Sequence, residues 1–469
     1  MKRALVLALL VTSACALARK PAWELPPPPA RDAPVVQEGS LQRAELDNGL
    51  EVLVLEDHRL PRVALGVTVR RGAGIVDNER AGLAAFTAEL MRRGAGERDA
   101  LALAQAVDEI GASLRVGSDW DEMSVWVTGL SRDLDRLLEI LADVVLRPRF
   151  EAREAGKARG EMLASLERAK DDPHTLASWN LARALYEGHR YGRPSQGVPE
   201  TVAGLDAGAA QAFHQRVFVP NDAIFSAAGD VAMEDLLARV GQAFGAWEWG
   251  PVSEPGPAPP ALAPPERKIV VVDRPDLVQA RIALAHEGIA RTHPERIAAA
   301  LMNTVLGGGG FSSRLMESLR AEEGLTYGVG SGFGMRRHPG PFYVSTFTRV
   351  SEVRRTLDLV LAELERAKSE PPSEEELRDA RALMVGRFSL GLETSVAVMK
   401  ALVDLDVYGL PEDSLDTYRS RVRAIRVEDT ARMAHTLLHP ERMAIVLVGP
   451  AVDLVPQVED MGLVEVVTP

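Results

Sequence analysis

The chain is divided near its middle by a stretch from Trp249 to Pro265 that holds seven of its 30 prolines and no hydrophobic period. Proline supplies no backbone N–H and fixes φ, so this stretch is neither a helix nor an interior strand and reads as a linker over 249–266. The two flanking segments look like copies of one another. Each opens on two apolar, strand-like runs: Leu50–Leu55 and Val63–Val69 in the first, Ile269–Val272 and Ala280–Ala285 in the second. A helix is expected after each pair, over Glu79–Arg92 and Pro294–Leu306, because small and apolar residues recur there at helical spacing. Farther on, a helix and a closing apolar run follow in both copies, Ala223–Gly229 and Met443–Gly449. A repeat of about 200 residues fits two similar α+β domains better than a solenoid of short units.

Composition fits that layout. With 46% hydrophobic and 26% charged residues in 469, the chain has the make-up of a folded protein with more than one core. The net charge of -13 argues against duplex nucleic acid as a partner, since that binding rests on a basic surface that releases phosphate counterions. At the N-terminus Lys2 and Arg3 precede an apolar run, Ala4–Val11, and then small residues, which is the layout of an export signal over 1–18. Two outcomes stay open. Cys15, the chain's single cysteine, sits where a lipoprotein signal places its lipid-modified residue, whereas a cut after Ala16-Leu17-Ala18 would discard it. Residues 19–40 contain Pro26–Pro29 and read as a polyproline-type tether, leaving domains at 41–248 and 267–469. The expected location is a bacterial cell envelope, in the periplasm, with membrane contact only through a lipid anchor.

Gly82-Leu83-Ala84-Ala85-Phe86-Thr87-Ala88-Glu89, with Gly94 beyond it, gives the first specific comparison. It resembles the zinc helix of the pitrilysin/insulinase peptidase family, which includes mitochondrial processing peptidase and carries the inverted H-x-x-E-H motif. Two histidines four apart share a helix face and can ligate one metal, while the glutamate activates the bound water. By ungapped matching Ala85 stands for the first histidine, Ala88 for the glutamate base and Glu89 for the second histidine. Anchored on Asp171-Asp172-Pro173, the downstream glutamate ligand falls on Ser165. A methyl group donates no lone pair and takes no proton, so the resemblance implies a member that binds no zinc itself. The bland reading is an amphipathic core helix with Glu89 solvated or paired to a nearby charge.

No other residue set supplies the missing metal site. His435 and His439 are four apart but have no intervening glutamate and run into Pro440; His286 and His293 are seven apart. Gly307–Gly310 lacks the Lys-Ser/Thr of a phosphate loop. That run instead opens Gly307-Gly308-Gly309-Gly310-Phe311-Ser312-Ser313-Arg314-Leu315, followed by Gly324-Leu325-Thr326-Tyr327, which is similar to the family's C-terminal-domain signature. In catalytic relatives the arginine and tyrosine of that signature reach the substrate near the scissile bond; here they are Arg314 and Tyr327. A guanidinium and a phenol can hold a carbonyl or a developing oxyanion. A structural role, with the glycines permitting a tight connection and Arg314 pairing locally, is the alternative.

The resemblance spans roughly 41–454 and implies two homologous peptidase-like domains in a clam shell. It also places Gly111–Val127 at the edge strand to which family substrates add, with Arg115 where relatives often have asparagine. Two functions follow from it. One is a non-catalytic subunit that lends Arg314 and Tyr327 to a partner carrying H-x-x-E-H and its zinc, acting on a peptide or unfolded polypeptide. The other is a scaffold or peptide-binding protein with a vestigial cleft. A self-sufficient peptidase with a different metal site is the third and least supported reading.

Overall fold

Continuous apolar runs become interior strands because both faces of each sheet are covered. The structure, a computed structural model, describes residues 33–259 and 267–469; the export signal, Cys15, most of the tether and residues 260–266 of the linker lie outside them. The first half contributes β1 (Leu41–Glu45), β2 (Glu51–Glu56), β3 (Arg62–Val69), a short β4–β5 ribbon (Gly94–Ala95 and Arg98–Asp99), β6 (Ser113–Ser118), β7 (Met123–Leu130) and β8 (Ala223–Gly229). The second contributes β9 (Lys268–Asp273), β10 (Gln279–Glu287), β11 (Val329–Phe333), β12 (Pro341–Arg349), β13 (Ala444–Gly449) and β14 (Leu463–Val467). Apart from the ribbon they form two six-stranded sheets, ordered β1-β2-β8-β3-β7-β6 and β11-β12-β10-β13-β9-β14.

Read from opposite ends, the two orders coincide over five strands. In each sheet the early strand runs parallel to the late one, β2 with β8 and β9 with β13, and every pairing from there to the edge at β6 or β11 is antiparallel. The copies differ at the other edge, where β1 is an antiparallel neighbour of β2 but β14 is a parallel neighbour of β9. The duplication expected from the sequence is therefore a duplication of topology, and the fold is the α+β pair of mixed, mostly antiparallel sheets that the resemblance implied.

The helices that position the site are α1 (Leu83–Met91), α2 (Ala152–Ala169), α3 (Pro173–Leu185), α4 (Arg296–Asn303), α5 (Glu374–Gly391) and α6 (Ser395–Tyr408). Helix α1 starts later than its periodicity suggests, since Gly82 is left-handed at φ 92° and a Cβ there would lie 2.6 Å from the Gln196 carbonyl oxygen. Only glycine takes that turn without strain. Helix α4 stops at Asn303, and Thr304–Gly308 continues as a π-helical turn.

One face of the first sheet packs on its own helices, with Val63, Leu65, Val67 and Val69 against Phe86 and Leu141. The opposite face is covered by α6 from the second half: Val398, Met399, Leu402 and Val403 meet Leu53, Leu55, Ala64, Ile224 and Ala228. The second sheet mirrors this arrangement. Its face bearing Val270, Val272, Ala283, Ala285, Val446 and Val448 receives α3 from the first half through Leu176, Ala177, Leu181 and Leu185. The halves thus exchange helices. Polar contacts reinforce the exchange, with Tyr408 Oη donating to Asp121 Oδ2 at 2.9 Å and the Arg336 guanidinium 4.6 Å from the Trp120 ring and 4.4 Å from that of Tyr191.

The linker is less free than its composition suggests. In its described part, the Gly256 carbonyl accepts from His338 Nε2 at 2.7 Å, the Pro257 carbonyl from His189 Nε2 at 2.9 Å and the Ser253 carbonyl from Arg71. Since the interior of each half includes a helix of the other, Met399→Ala is expected to cost about 2–5 kcal/mol, the usual range for such core truncations. Urea unfolding followed by tryptophan fluorescence and by far-ultraviolet circular dichroism should shift as one transition; separate transitions for the two halves would contradict the shared core.

Candidate functional site

Helix α1 packs between α2 and edge strand β6, so the fold still brings together the elements on which the resemblance places a metal site and a substrate strand. The chemistry at those positions has changed. Ala88 is buried, Ala85 is half-buried and Ser165 is exposed on α2. Glu89 holds two guanidinium groups, accepting from Arg92 Nε at 2.8 Å and from Arg93 Nε at 2.9 Å. Arg93 reaches on to α2, where its Nη2 lies 2.5 Å from Glu161 and its Nη1 3.8 Å from Glu154. The Arg93 hydrogen bond holds Glu161 below the ordinary carboxylate range. Ion pairs thus join α1 to α2 across the place where the catalytic family pattern has metal ligands. Among the described residues no group of three or more His, Cys, Asp or Glu side chains is arranged to hold a metal.

Strand β6 pairs only with β7 among the described residues, leaving one row of backbone N–H and C=O groups open. Its side chains alternate: Leu114 and Val116 pack toward the core, while Ser113, Arg115 and Gly117 face the other way and are exposed. In register with Arg115 is Trp126, whose indole lies so close over Gly66 that a Cβ there would meet the ring at 2.6 Å. Such an open, alternating edge can accept an extended peptide by strand addition.

The structure separates the two residues of the C-terminal signature. Arg314 is turned inward: its Nε and Nη2 bind the two carboxylate oxygens of Glu376 at 2.7 and 3.1 Å, and the Glu370 and Pro371 carbonyls accept from its Nη1 and Nη2 at 2.9 and 3.2 Å. Glu376 also caps α5, accepting from Ser373 N at 2.8 Å. Sequence reading missed this partner 62 residues downstream; the Ser373-x-x-Glu376 capping pattern was its available signal. The geometry gives Arg314 the local pairing role, with its donors already committed. Tyr327 is 80% exposed and presents its phenol outward. The glycine run is structural in its first part: a Cβ on Gly307 would lie 2.4 Å from Ser331 Oγ, and one on Gly308 2.6 Å from Asn303 Nδ2. Gly310 takes φ 78°.

Comparison with known proteins agrees with this geometry. A family model described as insulinase, peptidase family M16, matches residues 51–197, and one described as the peptidase M16 inactive domain matches 204–384. The chain belongs to the M16 peptidase family. Among M16 relatives, an uncharacterized zinc protease of Streptomyces coelicolor is 25% identical over 420 residues, covering 88% of this chain and 91% of that one. The non-peptidase homolog YmxG of Helicobacter pylori is 24% identical over 416 residues, covering 88% and 95%. A crystal structure of a peptidase M16 inactive domain from Pseudomonas fluorescens superposes with a TM-score of 0.81 at 28% identity, covering 87% of this chain and 98% of that one. With Ala85, Ala88 and Glu89 at the motif positions, this chain is an inactive M16 homologue.

The Arg314–Glu376 pair sets a pH dependence. Chiefly through Arg314, the Glu376 carboxyl is held down from an ordinary 4.5 to about 2 in the folded chain. A depressed folded value means the pair stabilises the fold fully above about pH 5 and loses that contribution as the pH falls toward 2. At pH 6, Arg314→Ala should lower unfolding stability by about 2 kcal/mol, the scale of a charge-assisted hydrogen bond. In urea titrations the gap from wild type should narrow below pH 4; a gap constant with pH would contradict the assignment.

Proposed function

We propose that this chain is the peptide-holding, non-catalytic subunit of a cell-envelope zinc peptidase, working beside an M16 relative that carries an intact H-x-x-E-H motif and the zinc. The observation that carries the reading is the open edge strand β6, kept beside a helix that has lost its metal chemistry. Had the site decayed without selection, nothing would favour an alternating, unpaired edge over one covered or blunted by inward charges and proline. Exposed Tyr327 is the signature residue placed to reach a substrate held elsewhere, and its phenol can donate to an oxyanion that forms on the partner's side. Arg314 ties its own segment, which follows the glycine run, to α5. The export signal and Cys15 favour an envelope location.

A second reading, a scaffold that binds peptides without any catalytic partner, is favoured by the commitment of Arg314 to Glu376. One experiment separates the two: co-express the chain with an H-x-x-E-H relative, purify the complex, measure zinc per subunit and follow peptide cleavage. Zinc should track the partner subunit, and Tyr327→Phe should leave the complex intact while lowering turnover by about a hundredfold, the scale of one lost oxyanion donor. Wild-type turnover in the Tyr327→Phe complex, or failure to form a complex, would leave the scaffold reading; about one zinc on this chain alone would overturn both.

A further inference from the structure

Helix α6 does not cover the whole face of the first sheet. It packs on β2, β8 and β3 and reaches Trp126 of β7 but leaves β6 uncovered, and a cavity of about 540 Å³ lies between β6, the Arg62 and Gly229 ends of β3 and β8, and the start of α6. Its floor is Trp126, with the Gly66 backbone beneath the indole, and Lys400 Nζ stands 5.1 Å from the centroid of that ring. Arg62, at the start of β3, Arg115, on β6, and Arg59 complete its basic lining. None of Arg62, Arg115 and Lys400 has a carboxylate within ion-pair distance among the described residues. Of the acids that line the cavity, Asp57 is held by Arg59 through two contacts of 2.7 Å, and exposed Glu393 forms no ion pair among the described residues. A smaller cavity of about 280 Å³ that shares Arg115, Trp126 and Lys400 with the first also contains Asp404, paired with Arg291 at 2.5 Å, and Glu122, whose carboxyl burial pushes up to about 7. Three cations without a direct ion pair thus line one cavity in a chain whose net charge is -13.

Strand geometry connects this cavity to the open edge. A peptide added to β6 would lie roughly 4.8 Å from it, and every second side chain would project to the same face as Ser113 and Arg115, over the cavity. We propose that the cavity is a specificity pocket that selects acidic side chains at alternate positions of a peptide strand-added to β6, with Arg62, Arg115 and Lys400 supplying the charge. This rests on the peptide-holding reading and adds to it the class of peptide held: extended and acidic on one face. Lys400 comes from the second half, so the pocket exists only in the chain with its helices exchanged.

The test uses the full chain and three labelled peptides of equal length, bearing Glu, Gln or Lys at alternate positions, with binding read by fluorescence anisotropy. The Glu peptide should bind about tenfold tighter than the Gln peptide, as expected for a few partly exposed charge pairs, and the Lys peptide weaker than both. In the triple variant Arg62→Gln, Arg115→Gln, Lys400→Gln the ratio of Glu-peptide to Gln-peptide affinity, measured in the same protein, should fall from about ten to about one. All three side chains are exposed, and an unchanged thermal melt would show that the variant is folded. Equal wild-type affinity for Glu and Gln peptides, or a preference that survives in the triple variant, would overturn the pocket and leave the peptide-holding reading intact. If no peptide binds, or if N-methylation of alternate amides leaves Gln-peptide binding unchanged, strand addition itself fails and the pocket with it.

Discussion

The arrangement depends first on the reciprocal burial of two helices. Each sheet has two apolar faces, and each half's own helices cover only one of them. The second face is buried by α3 or α6 from the other half, in positions related by the internal duplication. Fully burying a large apolar side chain contributes about 1.5–3 kcal/mol. Leu181 and Leu185 on one helix and Met399, Leu402 and Val403 on the other therefore bind the halves far more strongly than the linker tethers them. The exchange also fixes where the face of the first sheet stays open, since α6 reaches β8, β3 and Trp126 of β7 but leaves β6 uncovered.

The altered zinc helix is best understood through that rigidity. In the family pattern a metal ligated from two helices also cross-links them. Here Arg93 performs the cross-link, placing a fixed cation among Glu89, Glu154 and Glu161. Ion pairs of this kind hold helices in place but offer no open coordination position and no activated water, so the scaffold beside β6 survives without the reaction. Arg314 gives support of the same kind: its bidentate pairing with Glu376 fixes its segment against α5, while Tyr327 faces outward.

Much of this was legible from the residues. The runs at Leu50–Leu55, Val63–Val69 and Ala223–Gly229 fall within one residue of β2, β3 and β8, because strands buried on both faces are apolar throughout and bounded by turn-formers. The loss of metal ligands was equally plain, since an alanine cannot ligate in any fold. Ownership of helices was not legible: the apolar stripes of α3 and α6 state that each must be buried but not on which sheet. Nor was the fate of Arg314, as a side-chain pairing across 62 residues leaves no local period. The helix expected to Leu306 passes at Thr304 into a π-helical turn, and beside that change the Asn303 side chain donates through Nδ2 to the Ser331 carbonyl on β11 at 3.0 Å and accepts through Oδ1 from Ser331 Oγ at 2.6 Å, a tertiary pairing with no local period.

The central claim is that an intact M16 scaffold holds an extended peptide along β6 without cleaving it. Amide hydrogen exchange on the isolated chain, with and without a saturating extended peptide, tests this most directly. The account predicts slower exchange at residues 113–118 on peptide binding, little change across α1, and a peptide recovered uncut even with zinc added. Unchanged exchange along β6 with protection elsewhere, or hydrolysis of the peptide by this chain alone, would contradict it.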